Sequence, residues 1–307
     1  MRYMPEGRLI NTPENIAAMR DMAALERAMQ EHTVLEARAL LCDSQHNTIV
    51  DLGCMKGVIR REEGAKGIQE GTVRDIAMIS RVGKPVCFTV EKILNDMHGV
   101  PYALLSRRTV QERCCAEYIS GLRSGDVIDA RVTHIEPFGA FVDIGAGVPS
   151  MISIDAISVS RISHPRDRFA VDMDIRAIVR GRDGDGRILL SHRELLGTWS
   201  ENAERFRAGE TVAGVVRSVE EYGIFVELAP NLAGLAEYRE GVAVGSGASV
   251  FIKSIIPERM KVKLVLVDTF RIEPPTEPPE YFFTGSRMSR FVYSPRASGK
   301  MIESVFE

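Results

Sequence analysis

Apolar and polar positions alternate most regularly between residues 127 and 191 and again between 211 and 267. In a regular strand Ala140, Val142 and Ile144 share one face and Phe141 and Asp143 the other, so the apolar row predicts a core-facing side and Phe141 an outward one. Phe138 then points inward, unless a bulge at Gly139 slips the two-residue period by one and brings it out beside Phe141. The string Phe138-Gly139-Ala140-Phe141-Val142-Asp143-Ile144 returns 84 positions later as Tyr222-Gly223-Ile224-Phe225-Val226-Glu227-Leu228, and the offset holds from Gly125 and Gly209 to Ser153 and Glu237. The chain therefore repeats a small domain. Two aromatics around a glycine on an alternating strand, repeated in register, predict rings displayed by a small β-barrel, where unstacked bases can lie against them.

Strand patterns in the fuller copy fall at 127–135, 140–144, 150–154, 175–179 and 187–191, with a short helix or irregular crossover over 155–169. Five short strands with a crossover after the third predict a Greek-key barrel. The downstream copy repeats the order at 211–219, 224–228, 234–237, 248–255 and 261–267. Residues 33–112 read as a third, degenerate copy: Val50-Asp51-Leu52-Gly53 lies over Val142-Asp143-Ile144-Gly145, and Leu105-Ser106 over Leu190-Ser191. His46 and Ile49 take its ring positions. Its Arg60, Arg61, Lys66, Arg74, Arg81 and Lys84 are interleaved with Glu62, Glu63 and Asp75, the composition of a solvated face.

Thr12 as N-cap, Pro13 at the first helical position, and Ala18, Met22, Leu25 and Met29 at helical spacing predict one packing helix to about Glu31. Between the two ringed copies, 196–206 carries a short helical pattern capped by Ser200, with the only tryptophan, Trp199, expected to plug the joint. An extended spacer is expected at 273–279. The tail beyond it, with Tyr281, Phe282, Phe283, Phe291, Tyr293 and Phe306, is too aromatic for inert disorder and predicts docking on its own chain or a partner.

Charge changes the picture. The 307 residues carry a net charge of -3 and an isoelectric point near 6.1, without the basic footprint of a protein held by phosphates alone. Residues 121–196 hold 10 Lys+Arg against 11 Asp+Glu, and 201–268 hold 8 against 10. Binding to nucleic acid must then rest on local charge and on stacking worth ~1–3 kcal/mol per base, giving modest, sequence-tolerant affinity. No stretch approaches the ~20 apolar residues of a membrane span and the first residues form no apolar signal segment, which reads as a cytoplasmic protein away from membranes. Five cysteines without a CxxC pair suggest neither a disulfide framework nor zinc. The six histidines have no ligand spacing, Gly184-x-Gly186 is a strand turn, and Asp183-Gly184-Asp185 lacks the downstream acid of a calcium loop. No enzyme activity, cofactor, metal or small-molecule substrate is expected.

Gly125-x12-Phe138-Gly139-Ala140-Phe141-Val142-Asp143, followed by Asp183-Gly184-Asp185-Gly186-Arg187-Ile188-Leu189-Leu190-Ser191, resembles the S-one RNA-binding domain of the OB-fold class, named for a bacterial small-subunit ribosomal protein built of such repeats. Trp199-x-Glu201-Asn202-Ala203-x-x-Phe206-x-x-Gly209 is similar to the linkers joining those repeats. The resemblance implies a mainly β chain of tandem five-stranded OB-fold Greek-key barrels with an N-terminal helix and helical linkers. Its parts would be an N-terminal helix (1–32), a degenerate repeat (33–112), a second repeat (122–195), a linker (196–206), a third repeat (207–268), and a spacer with docking tail (269–307). It further implies RNA contacts at Phe138, Phe141, Asp183 and Arg187, and at Tyr222, Phe225 and Lys261, with Ser153 and Glu237 in place of the family's histidine and Pro257 in place of its second aspartate. Asp183 and Arg187 have a second reading as a tight turn with a local ion pair. Glu237 would repel phosphate, so the second repeat is expected to dominate. The implied function is non-catalytic binding of single-stranded messenger RNA in translation at the small ribosomal subunit. The alternatives are a protein adaptor with weak or lost RNA binding and an accessory subunit of an RNA-processing enzyme.

Overall fold

A computed structural model of the chain describes residues 3–273, 277–278 and 280–307, so part of the expected spacer lies outside the described residues. Apolar alternation broken by glycine turns gives three closed five-stranded barrels. The first follows α1 (Pro13–Ala18) and α2 (Met22–Gln30) and comprises β1 (Leu35–Cys42), β2 (Thr48–Asp51), β3 (Lys56–Ile59), β4 (Pro85–Asn95) and β5 (Pro101–Ser106), with α3 (Ile76–Ile79) in its crossover and α4 (Arg107–Glu117) after it. The second comprises β6 (Val127–Glu136), β7 (Gly139–Asp143), β8 (Pro149–Ser153), β9 (Asp174–Arg182) and β10 (Ile188–Ser191). After α5 (Trp199–Ala203) the third comprises β11 (Thr211–Glu220), β12 (Gly223–Ala229), β13 (Leu232–Ala236), β14 (Gly247–Ile256) and β15 (Lys261–Phe270). In each, the first three strands run antiparallel, the third pairs in parallel with the fifth, and the fourth closes the ring between fifth and first. Among the described residues no helix is long and apolar enough to cross a membrane.

Contacts divide the chain into two compact units, Met1–Leu122 with Asp143–Pro149, and Arg123–Val142 with Ser150–Glu307. In the first, the expected single helix is two. The Asp21 side chain accepts the Ala24 N–H at 2.8 Å and starts α2 afresh, as short acidic side chains do when they compete with the helical ladder. Leu25 and Ala28 of α2 seal a core of Leu35, Val50, Ile59, Phe88 and Leu105. Ser106, the counterpart of Ser191, caps α4 by accepting the Thr109 N–H at 3.0 Å.

In the second unit Trp199 is 2% exposed and packs with Val127, Ile178 and Leu195 of barrel two, Val216, Val226 and Leu264 of barrel three, and Met288, Phe291, Tyr293 and Phe306 of the tail. The cap of α5 is Thr198 rather than Ser200. Its hydroxyl accepts the Glu201 N–H at 3.2 Å and Glu201 accepts the Thr198 N–H at 2.7 Å, a reciprocal box that Ser200 has no acidic residue three positions on to form. Tail residues dock on their own chain: the Phe282 N–H donates to the Leu195 carbonyl at 2.9 Å, and β16 (Arg290–Val292) pairs with β17 (Glu303–Val305). Asn231 ties the joint together. Its amide donates to the Arg193 and Gly197 carbonyls, each at 2.8 Å, its side-chain oxygen accepts the Val159 N–H at 2.9 Å, and its own carbonyl accepts the Tyr293 hydroxyl at 2.7 Å.

Candidate nucleic-acid interface

The second and third barrels each turn from first to second strand through two residues, and the first aromatic sits in that turn. Phe138 is 55% exposed and Tyr222 70%. Phe138 therefore comes outward from the hairpin turn itself. The bulge in this hairpin of barrel three lies on the preceding strand, where the register slips between Val216 and Ser218. Gly139 is needed for another reason: a Cβ there would lie 2.5 Å from the Ile152 carbonyl oxygen, and at Gly223 2.5 Å from that of Ala236. Phe141 and Phe225 follow on the strands, half-buried and outward, between buried neighbours. Ring centroids stand 6.1 Å apart at 88° for Phe138 and Phe141, and 6.1 Å apart at 86° for Tyr222 and Phe225. The arrangement occurs twice from different sequence.

His134 adds a ring that the aromatic pattern does not disclose. It lies exposed on β6, 6.2 Å from Phe141, and its Nε2 is 2.6 Å from Glu136. The sequence signal was the 84-residue offset itself, which aligns His134 with Ser218, the residue paired with Phe225.

Other expected residues stand as follows. Asp183 Oδ1 accepts the N–H groups of Asp185 and Arg187 at 3.0 and 2.8 Å and so holds the β9–β10 turn. Arg187, with a side chain 74% exposed, lies 3.5 Å from Asp185 and not against Asp183. Lys261 is exposed at the start of β15, and Glu237 is exposed just after β13. Ser153, half-buried, hydrogen-bonds Asp155 and with it holds that carboxyl below its ordinary range. Arg131 is 3.7 Å from Asp174, and Arg193 is taken up by Glu194 at 3.1 Å. In barrel one, His46 lies 3.3 Å from Asp75, which also holds Arg61 at 2.7 Å.

Strand alternation misplaced Asp143. It is 2% exposed, not outward, because the N-terminal segment covers it: Oδ2 accepts the Glu6 N–H at 2.7 Å and Oδ1 the N–H groups of Gly145 and Gly147 at 2.8 and 3.0 Å. Burial and the nearby Glu6 charge nonetheless push its carboxyl up to about 7. Its counterpart Glu227 is likewise buried, paired with Arg168 and, at 2.9 Å, with Arg217. Among the described residues no group of three or more His, Cys, Asp or Glu is disposed to hold a metal ion.

Three closed barrels of this strand order, two of them bearing a ring pair at the hairpin between the first and second strands, define a tandem OB-fold protein. Residues 122–193 match the family model described as the S1 RNA binding domain. The chain is similar to small ribosomal subunit protein bS1 of Staphylococcus aureus (strain COL), 27% identical over 240 residues, covering 76% of this chain and 58% of that one. The bS1 homolog of Bacillus subtilis (strain 168) is 33% identical over 159 residues, 50% of this chain and 41% of that one. The chain thus spans less than two thirds of the length of these relatives. A crystal structure of a multidomain protein with nucleic acid binding domains from Streptococcus pneumoniae covers 77% of this chain and 74% of its own at 15% identity, with a TM-score of 0.26, too low to weigh.

Proposed function

We propose that the protein binds single-stranded RNA without catalysis, stacking bases on Phe138 and Phe141 and on Tyr222 and Phe225, and that its RNA is messenger RNA at the small ribosomal subunit in the cytoplasm. The observation that carries this reading is the recurrence of one ring geometry, 6.1 Å and nearly perpendicular, at exposed turns of two barrels. A purely packing role would bury those rings, whereas Phe138 and Tyr222 are more than half exposed. Single strands are preferred because a base must leave its own stack before a ring can replace its neighbour. Arg187 supplies an exposed cation on barrel two, and Asp183 sets the turn that carries it. The S1-type match and the likeness to bS1 support the RNA and ribosomal parts of the reading.

A second reading, a protein adaptor, is favoured by the net charge of -3 and by Ser153 and Glu237 at the histidine positions. Anisotropy titration of a labelled single-stranded RNA separates the two. At ~1–3 kcal/mol per stacked base, Phe138→Ala/Phe141→Ala should weaken binding about tenfold or more while remaining folded. No binding by the unaltered protein at low salt would sink the RNA reading and leave the adaptor.

A further inference from the structure

The fourth strand of every barrel meets the fifth through a bulge, and the bulged residue is different in kind where the rings are absent. The register skips Glu91 in β4, between the pairs Val90↔Leu105 and Lys92↔Leu104. In β9 it skips Arg180, between Val179↔Leu190 and Gly181↔Leu189. In β14 it skips Lys253, between Ile252↔Leu264 and Ser254↔Lys263. A bulge re-aims the side chain it carries, and all three are exposed. The two barrels with aromatic pairs aim a cation outward; the ringless barrel aims a carboxylate, which is held by Thr89 at 2.9 Å.

On barrel three this cation belongs to the same face as the rings. Phe225 pairs with Leu235, Leu235 with Lys263, and Lys263 with Ser254 beside Lys253. Their neighbours Val226, Ala236, Leu264 and Ile252 are buried, so the row points outward and crosses three strand spacings of about 4.8 Å. Lys261 precedes Lys263 by two positions along β15. Among the described residues none of these three lysines has a carboxylate within ion-pair distance. Exposed Glu237, Glu240 and Glu258 occupy the ends and loops rather than the row. On barrel two, Met151 and Leu189 pair where barrel three has Leu235 and Lys263, which leaves Arg180 the cation of that row.

We propose that the bulge cations Arg180 and Lys253, joined in barrel three by Lys263, are the phosphate anchors beside the ring pairs, and that barrel three therefore holds more phosphate than barrel two. This rests on the RNA reading above and adds residues and a division of labour to it. A base stacked on Phe225 leads its backbone across the row, where a compact ammonium takes a phosphate without needing a fixed fork geometry.

The test is anisotropy titration of the full chain with a fluorescein-labelled twelve-nucleotide oligouridylate from about 50 to about 200 mM KCl. Each phosphate contact removed should flatten the slope of log K against log salt by about 0.7, so Lys253→Gln/Lys263→Gln should flatten it by about 1.4 and Arg180→Gln by about 0.7. Glu91→Gln should leave it unchanged. All four positions are exposed, and circular dichroism checks that the variants fold. An unaltered slope in Lys253→Gln/Lys263→Gln, with binding still weakened in Tyr222→Ala/Phe225→Ala, would overturn the anchors and leave the RNA reading standing. Absence of binding by the unaltered protein at about 50 mM KCl would overturn that reading, and the anchors with it.

Discussion

Replacing Arg107 with methionine keeps a flexible unbranched side chain, though a shorter one, and removes the charge on which buried Glu6 depends. Arg107 is 3% exposed; its Nε donates to Glu6 Oε1 at 2.6 Å, its Nη2 to Glu6 Oε2 at 2.9 Å and its Nη1 to the Gly64 carbonyl at 3.1 Å. Burial by itself would raise the Glu6 carboxyl, but Arg107 beside it, helped by Arg81 and the Cys87 N–H, overrides burial and holds it down to about 2. Removing one partner of a buried pair leaves an uncompensated charge and costs about 3–5 kcal/mol. At a urea dependence of ~1–3 kcal/mol/M, the unfolding midpoint of the first unit should fall by roughly 2 M at pH 7. Trp199 belongs to the other unit, so the measurement is circular dichroism in urea together with amide exchange over α4 and β4. In the unaltered protein the Glu6 pairing adds stability above the ordinary Glu value of 4.5 and loses it as the pH falls towards 2. The deficit of Arg107→Met should therefore shrink over that acid range, and Arg107→Met/Glu6→Gln should recover much of it at pH 7. A deficit below ~1 kcal/mol at pH 7, or one that stays constant down to pH ~3, would refute the assignment of this energy to the pair.

Two further outcomes concern the second unit. Asn231→Ala removes three hydrogen bonds of a side chain with no exposure and should cost about 3 kcal/mol, read as a lowered midpoint of Trp199 fluorescence in urea; a change under ~0.5 kcal/mol would count against Asn231 as the tie of the joint. His192 is wholly buried, and burial holds its imidazole down to about 4, against 6.5 when free, so the unfolded chain takes up a proton first. Stability should be level above pH 6.5 and fall by about 3 kcal/mol as the pH drops to 4; His192→Gln should flatten the profile, and an equally steep profile in that variant would assign the effect elsewhere.

Barrels two and three were legible because their residues obey one periodicity twice, so a single offset carried strand order, ring positions and the core face together. What escaped depends on partners distant in the chain. Asp143 obeys the outward register of its strand and is buried only because residues near Glu6 lie over it. The break at Asp21 turns on its side chain capturing the Ala24 N–H, and the cap at Thr198 on which of two nearby hydroxyls captures a backbone N–H, which spacing leaves undecided. The bulges at Glu91, Arg180 and Lys253 are invisible locally, since a bulge is defined by the register of the strand opposite. His134 was readable only by carrying the offset onto a position whose counterpart, Ser218, has no ring.

The seam around Trp199 is closed by residues as late as Phe306, although the barrels on either side end their last strands at Ser191 and Phe270. At ~5–20 residues per second, the ribosome takes roughly 2–7 s to pass from Phe270 to Phe306. Until those residues are made, the apolar seam between the two barrels lacks Met288, Phe291, Tyr293 and Phe306. A stall or a premature stop in this stretch would release a product with sound domains and a sticky edge. The rate at which residues 271–306 are made therefore sets how long that seam waits for its cover.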